Sequence, residues 1–203
     1  QEEVGTAQQQ QSGAAQLGVV QVRGQALQDY GADQSVSAGK MPMDLMDTPQ
    51  SVQVVPRQLI EDFRPIFLDD VLRSVSGINQ TNTFGNTSDG VTVRGFQPNN
   101  YFRNGVRTLN SRNLTPSTER IEVLKGPSSL LYGDIEPGGL INVITKRPRF
   151  DSEFLSLDHQ WSNRGGQRTT VDAGTPFIDG PGGKLAGRIV AEYDGSDYWR
   201  NFG

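Results

Sequence analysis

Three consecutive stretches near the C-terminal end constrain this chain more than anything else in it. Leu155, Leu157, His159 and Trp161 alternate with Ser156, Asp158 and Gln160. Thr169, Val171, Ala173 and Thr175 alternate with Thr170, Asp172 and Gly174. Leu185, Gly187, Ile189, Ala191 and Tyr193 alternate with Ala186, Arg188, Val190, Glu192 and Asp194. A period of two places each set on its own face of a β-strand. Short segments with one apolar face, separated by Gly, Pro, Asn and Asp turns, carry the signature of transmembrane-barrel strands; a soluble meander has the same pattern. Three strands cannot close a barrel, so on the first reading they only begin one.

The remaining composition excludes more than it identifies. A chain of 203 residues can hold one domain with a real core. Its 19 basic and 23 acidic residues are interspersed and give a net charge of −4, so nucleic acid is not an expected partner. With no cysteine there are no disulfides and no thiolate metal sites. No apolar run approaches the ~20 residues of a spanning helix, a test that barrel strands pass unseen. A Ser-His-Asp triad would depend on His159, the one histidine, which sits on an apolar strand face. No cluster has metal-ligand spacing, and "KGPSS" lacks the glycine spacing of a phosphate loop. The chain is therefore not expected to be an enzyme, and no cofactor or metal is assigned.

Residues 1–39 carry little that could pack: "QEEVGTAQQQQSGAAQ" is glutamine-rich with almost no large apolar groups. Within them "LGVVQVRG", Leu17–Gly24, alternates Val20 and Val22 with Gln21 and Arg23. It is either a chance apolar cluster or a strand awaiting a partner sheet. Residues 40–149 read as a small domain of short strands and helices. "TPQSVQVVP" is a strand with Val52 and Val54 on one face, closed by Pro56. "RQLIEDF" and "FLDDVLRSVSG" are helices, the second with Leu68, Val71, Leu72 and Val75 at helical spacing, Gly77 as its C-cap, and Asp69-Asp70 on an exposed face. "INQTNTFGNTSDG" is a loop, "VTVRGF" a strand, and Asn104-Gly105 a hairpin turn. "ERIEVLKG" is a strand, "PSSLLYG" a short helix with Pro127 at its first position, and "GGLINVITKRP" a last strand. Residues 150–203 hold the alternating segments.

In order along the chain, "TPQSVQVVP", "VRGF", "RNGVR", "ERIEVLKGPSSLLYG", "PGGLINVITKRP" and the alternating strands resemble the TonB-dependent outer-membrane receptors, ferric-siderophore type, over residues 40 to about 200. The resemblance implies an α+β plug domain, a small mixed sheet with short helices, followed by the first antiparallel strands of a 22-strand transmembrane β-barrel. It implies a receptor in the cell outer membrane that imports a ferric siderophore with energy supplied through TonB, its N-terminal tail in the periplasm and its wall against outer-membrane lipid. Another TonB-dependent cargo such as haem or cobalamin, and a non-transporting β-rich interaction domain, stay open as alternatives. Val19, Val20, Gln21, Val22 and Arg23 match the TonB box by position. Arg94, Lys125 and Arg120 are the expected ionic lock between plug and barrel wall; pairing of Arg94 and Lys125 inside the plug with Glu119 or Glu122 is the competing reading. Phe84, Gln97, Asn99, Tyr101 and Arg107 are the implied cargo contacts.

Overall fold

The computed structural model describes residues 31–65, 67–81, 89–97, 101–108, 113, 115–162, 166–180 and 183–195. In chain order its elements are β1 (Gln34–Ser35), β2 (Met43–Asp44), β3 (Ser51–Val55), α1 (Arg57–Phe63), α2 (Leu68–Leu72), β4 (Ile78–Gln80), β5 (Val91–Val93), β6 (Tyr101–Arg103), β7 (Val106–Thr108), β8 (Thr118–Lys125), α3 (Ser129–Tyr132), β9 (Gly139–Thr145), β10 (Phe154–Trp161), β11 (Gln167–Gly180) and β12 (Gly183–Gly195).

A five-stranded sheet ordered β3-β8-β9-β6-β7 is the backbone of the first domain. All its pairings are antiparallel except β6 with β9. The long central strands carry apolar residues on both faces, as buried strands should, with Glu122 and Asn142 a buried polar pair on one of them. Ile121, Val123, Ile141 and Val143 join Val55, Ile60, Leu68, Val71, Leu72 and Val75 in the larger core, under the two helices. On the opposite face Leu124, Leu140 and Phe102 pack with Ala38 and Tyr132. That second face is closed by α3 and by the segment around Ala38, so chain before Lys40 is part of the folded domain. The tail expected to run unpacked to residue 39 therefore ends earlier: Ser35 and Ser37 are completely buried.

Two turns explain where strands stop. Asn104 (φ 51°) and Gly105 (φ 80°) both lie in the left-handed region, as a two-residue hairpin turn between β6 and β7 requires. The same geometry recurs at Arg94 (φ 51°) and Gly95 (φ 86°), with Val93 and Phe96 exchanging both backbone hydrogen bonds. "VTVRGF" is thus a strand to Val93 and then a tight turn, where the sequence pattern predicts a strand to Phe96. Helix α2 likewise stops at Leu72 rather than at Gly77, and Pro127 lies outside α3, whose N-cap is Ser128. Asp69, expected on an exposed face, is buried and accepts a hydrogen bond from Gln80 Nε2 at 2.7 Å.

The last three strands form a separate antiparallel sheet, β10-β11-β12. Its register stacks Leu157, Val171 and Ala191, and beside them Leu155, Ala173 and Ile189, on one face. This apolar face is open: Leu155 is 76% exposed, Ile189 73% and Trp161 79%. The other face carries Asp158, Arg168, Asp172, Arg188, Glu192 and Asp194 and turns toward the first domain. The arrangement is the reverse of a soluble meander, which buries its apolar side.

Candidate functional site

Charged side chains of the strand sheet meet the domain along one seam. Lys146 follows directly on β9, and its ammonium donates to Asp172 Oδ2 at 2.7 Å. Arg188 Nε and Nη2 donate to the two oxygens of the same carboxylate at 2.8 and 2.7 Å, and Arg188 Nη1 donates to the Arg147 carbonyl at 2.9 Å. A bidentate fork on one side and a point charge on the other leave Asp172 fully matched. All three side chains are nine-tenths buried or close to it. Further along, Arg168 donates to the Pro65 carbonyl at 2.8 Å and pairs with Glu192 and Asp194 on β12. Between these contacts run two polar clefts, of about 280 and 930 Å³, bordered by Arg57, Glu61, Lys146, Ser156 and Asp172. Burial drives the Lys146 ammonium below its ordinary range, against the pull of the Asp172 carboxylate. The seam is ionic and carries open clefts, not an apolar weld.

A second polar cluster fixes the N-terminal segment. Glu122 on β8 is wholly buried, opposite Asn142 on β9. Its carboxylate accepts from Ser35 Oγ at 2.6 Å, from the amides of Val36 at 3.0 Å and Ser37 at 2.8 Å, and from Arg120 Nε at 2.7 Å. Asn142 Nδ2 donates to Ser37 Oγ at 2.9 Å and Tyr132 Oη to the Ser37 carbonyl at 2.7 Å. Burial alone would raise the Glu122 pKa, but the hydrogen bonds from Ser35, Ser37 and Arg120 outweigh it and hold the carboxyl below its usual range. Arg120 is therefore committed inside the domain, which corrects its expected place in the lock with the wall.

Arg94 and Lys125 are not paired with Glu119 or Glu122. Lys125 Nζ donates to Gln53 Oε1 at 2.9 Å and Ser76 Oγ at 2.7 Å. Arg94 is exposed and lies beside it: a Cβ at Gly126 would sit 3.8 Å from Arg94 Nη1. Burial first, and then the Arg94 charge, push the Lys125 ammonium down. Among the described residues no carboxylate forms an ion pair with either cation. They make an electropositive corner at the domain surface, with Arg94 exposed and Lys125 half-buried.

The expected cargo contacts separate. Phe84, Asn99 and the tail residues Val19, Val20, Gln21, Val22 and Arg23 lie outside the described residues. Gln97 is exposed just after the Arg94-Gly95 turn. Arg107 is exposed on β7, its guanidinium over the Phe102 ring and donating to the Asp134 carbonyl. Tyr101 is a core residue, 1% exposed, with its hydroxyl on the Asp89 carbonyl at 3.1 Å, so it is removed from the surface set. It starts β6, where alternate residues must face the sheet's interior. The seam through Lys146, Asp172 and Arg188 was missed, although the inward period of the last strands and the basic "KRPR" run beside them hold the signal.

Comparison with known proteins turns this geometry into a family. A family model described as the TonB-dependent receptor plug domain matches residues 44–140. The chain belongs to the TonB-dependent receptors. Its plug and first wall strands superpose on the siderophore receptor PiuA of Acinetobacter baumannii with a TM-score of 0.71 at 32% identity, over 83% of this chain and 24% of that one. The pyoverdine-bound receptor FpvA of Pseudomonas aeruginosa gives a TM-score of 0.74 at 28% identity, covering 86% and 26%. In sequence, the ferric-pyoverdine BN7/BN8 receptor of Pseudomonas putida is 30% identical over 93% of this chain and 24% of its own length. The catecholate siderophore receptor Fiu of Escherichia coli is 34% identical over 66% and 19%. These relatives are outer-membrane receptors and not enzymes. The chain spans about a quarter of the length of the curated relatives it matches.

Proposed function

We propose that the complete protein is a ferric-siderophore receptor that imports its cargo through the outer membrane with energy delivered by TonB. The observation that carries this reading is the two-sided strand sheet. Its apolar face is open for lipid, and its charged face grips a folded domain through Lys146, Asp172 and Arg188. A stopper held by ion pairs in a wet gap can be displaced, because water replaces each contact it loses. In this reading the wall continues to 22 strands, and carboxylates on the later strands meet Arg94 and Lys125. Phe84, Gln97, Asn99 and Arg107 then face the cargo. Aromatic and amide groups suit a ferric chelate, whose outer surface is organic with oxygen acceptors, and no protein ligand to iron is needed. Val19–Arg23 serves as the TonB box by adding a strand to the partner's sheet.

The test is uptake of a panel of labelled ferric chelates by iron-starved cells, with the intact receptor and with a variant lacking Leu17–Gly24. Binding at the cell surface persists in the deletion while import stops. Import that continues at the intact rate removes the box assignment, and a receptor that binds haem or cobalamin but no ferric chelate removes the cargo assignment.

A further inference from the structure

We propose that Asp89 is a positioning residue for cargo binding: one buried residue whose carboxylate and main-chain carbonyl together tie the bases of three chain connections, 82–88, 98–100 and 109–112. The proposal rests on the reading above, in which residues of these connections contact cargo. The connections themselves lie outside the described residues; their bases do not. Asp89, Tyr101 and Asn113 are the first described residues after each of them, and Asp89 is hydrogen-bonded to each of the other two. Asp89 Oδ2 accepts from the Asn113 amide at 2.9 Å and from Asn113 Nδ2 at 3.0 Å. The Asp89 carbonyl accepts from the Tyr101 hydroxyl at 3.1 Å. Asp89 Oδ1 accepts from the Leu68 amide at 3.2 Å, fixing the cluster to the start of α2. Two of the outgoing ends are tied as well, by Thr81 N to the Gly90 carbonyl at 2.9 Å and by Thr108 Oγ1 to the Tyr101 carbonyl at 3.0 Å.

The residue type is informative. Three N–H donors converge on one side chain, and only a carboxylate offers two acceptor oxygens with no donor of its own. Asp89 is completely buried, no described cation forms an ion pair with it, and Asp69 adds a second negative charge nearby. A positive charge acts at one remove, where Arg103 Nη2 donates to Asn113 Oδ1 at 2.9 Å. Burial pushes the Asp89 carboxyl above its ordinary range in spite of these hydrogen bonds. Such a group is a poor way to stabilise a core, since well-packed apolar residues are as good or better. It is a good way to hold three separate backbones in one register, because each donor has a single acceptor position to reach.

The experiment uses the full-length receptor in detergent micelles with ferric catecholate, ferric hydroxamate and mixed ferric chelates as probes. Asp89→Asn keeps the size but turns an NH₂ toward the donors; Asn113→Ala, which keeps the carboxylate, is the milder variant should the first fail to fold. Ile141→Val supplies a core defect away from the cluster. Expected is an affinity loss of about tenfold in either cluster variant against less than twofold in the control, and a strongly reduced penalty of Arg107→Ala or Phe84→Ala in the Asp89→Asn background. Affinity within twofold of the parent, or additive penalties, overturns the positioning role. Hydrogen exchange reads the anchor without any cargo. The amides of Leu68, Thr81 and Asn113 should accelerate together in the cluster variants while those of Val36 and Ser37 do not. Acceleration at only one of the three overturns the anchor, even if no chelate binds and the receptor reading has itself failed.

Discussion

Replacing Glu122 by alanine should free the segment around Ser35–Ser37 without unfolding the sheet beneath it. The substitution strands four donors: the Ser35 hydroxyl, the Val36 and Ser37 amides, and Arg120 Nε. Arg120 is 29% exposed and can turn to water, and the hydroxyl can rotate. The Val36 amide has no such escape while the segment stays docked, and the Ser37 amide keeps only the Ser35 hydroxyl at 3.2 Å, a neutral acceptor in place of a carboxylate. At about 1–3 kcal/mol for each buried unsatisfied group, the docked state loses roughly 3 kcal/mol, which shifts local opening by about a hundredfold. The assay is hydrogen exchange on the full-length receptor, following Val36 and Ser37 against Ile141 and Val143 in β9. The first pair should exchange about a hundredfold faster and the second within threefold of the parent. Equal acceleration at β9 would mean that Glu122 holds the sheet rather than the segment, and no change at Val36 and Ser37 would mean that it holds neither.

The same amides should lose protection in acid. The native Glu122 pKa lies below its unfolded value of 4.5, so its contribution is complete above that value and fades as pH falls through the lower native one; protection that fades instead between pH 7 and 5 contradicts the assignment. Asp172→Ala leaves the buried Lys146 and Arg188 charges unmatched and should cost about 3 kcal/mol in denaturant unfolding. A double-mutant cycle with Lys146→Met should recover a coupling above ~1 kcal/mol, and a coupling near zero would refute the seam as an energetic link. Gly139→Ala places a Cβ 2.1 Å from the Leu124 carbonyl at φ 132°, whereas Gly105→Ala at φ 80° meets nothing within 4 Å. Thermal melts should show a loss of about 1–2 kcal/mol at Gly105 and a clearly larger one at Gly139, where β8 and β9 must part.

Much of this architecture is legible in the residues. The period of two after Phe150 gives one apolar and one polar face directly, and the exposure of Leu155, Trp161 and Ile189 then shows the apolar one turned outward. Asn104-Gly105 announces its hairpin because few other pairs accept two consecutive positive φ angles. Arg94-Gly95 makes the same turn without announcing it: arginine rarely takes that conformation, and here the paired Val93 and Phe96 backbones and the Arg94 amide, donating to the Gly77 carbonyl at 2.7 Å, hold it there. Tyr101 misleads because a tyrosine after a polar loop looks like surface, and only the register against Thr108 and the contact to Asp89 turn it inward. The Glu122 cluster is hidden for a different reason. Its partners, Ser35 and Ser37, lie more than eighty residues away in a stretch whose composition suggests no packing at all.

The order of strands in the five-stranded sheet has a mechanical corollary. β3, the first sheet strand after the docked segment, occupies an edge and holds only β8. Tension entering from the N-terminal side therefore meets the small β1–β2 pair at Gln34–Ser35 and the polar fastening at Ser35–Ser37 together, and then an outermost strand that can unzip one bond at a time. The β8–β9 pair, at the centre of this sheet and with β9 its last strand in chain order, is reached last and stays behind as the template on which the removed layers can be laid down again.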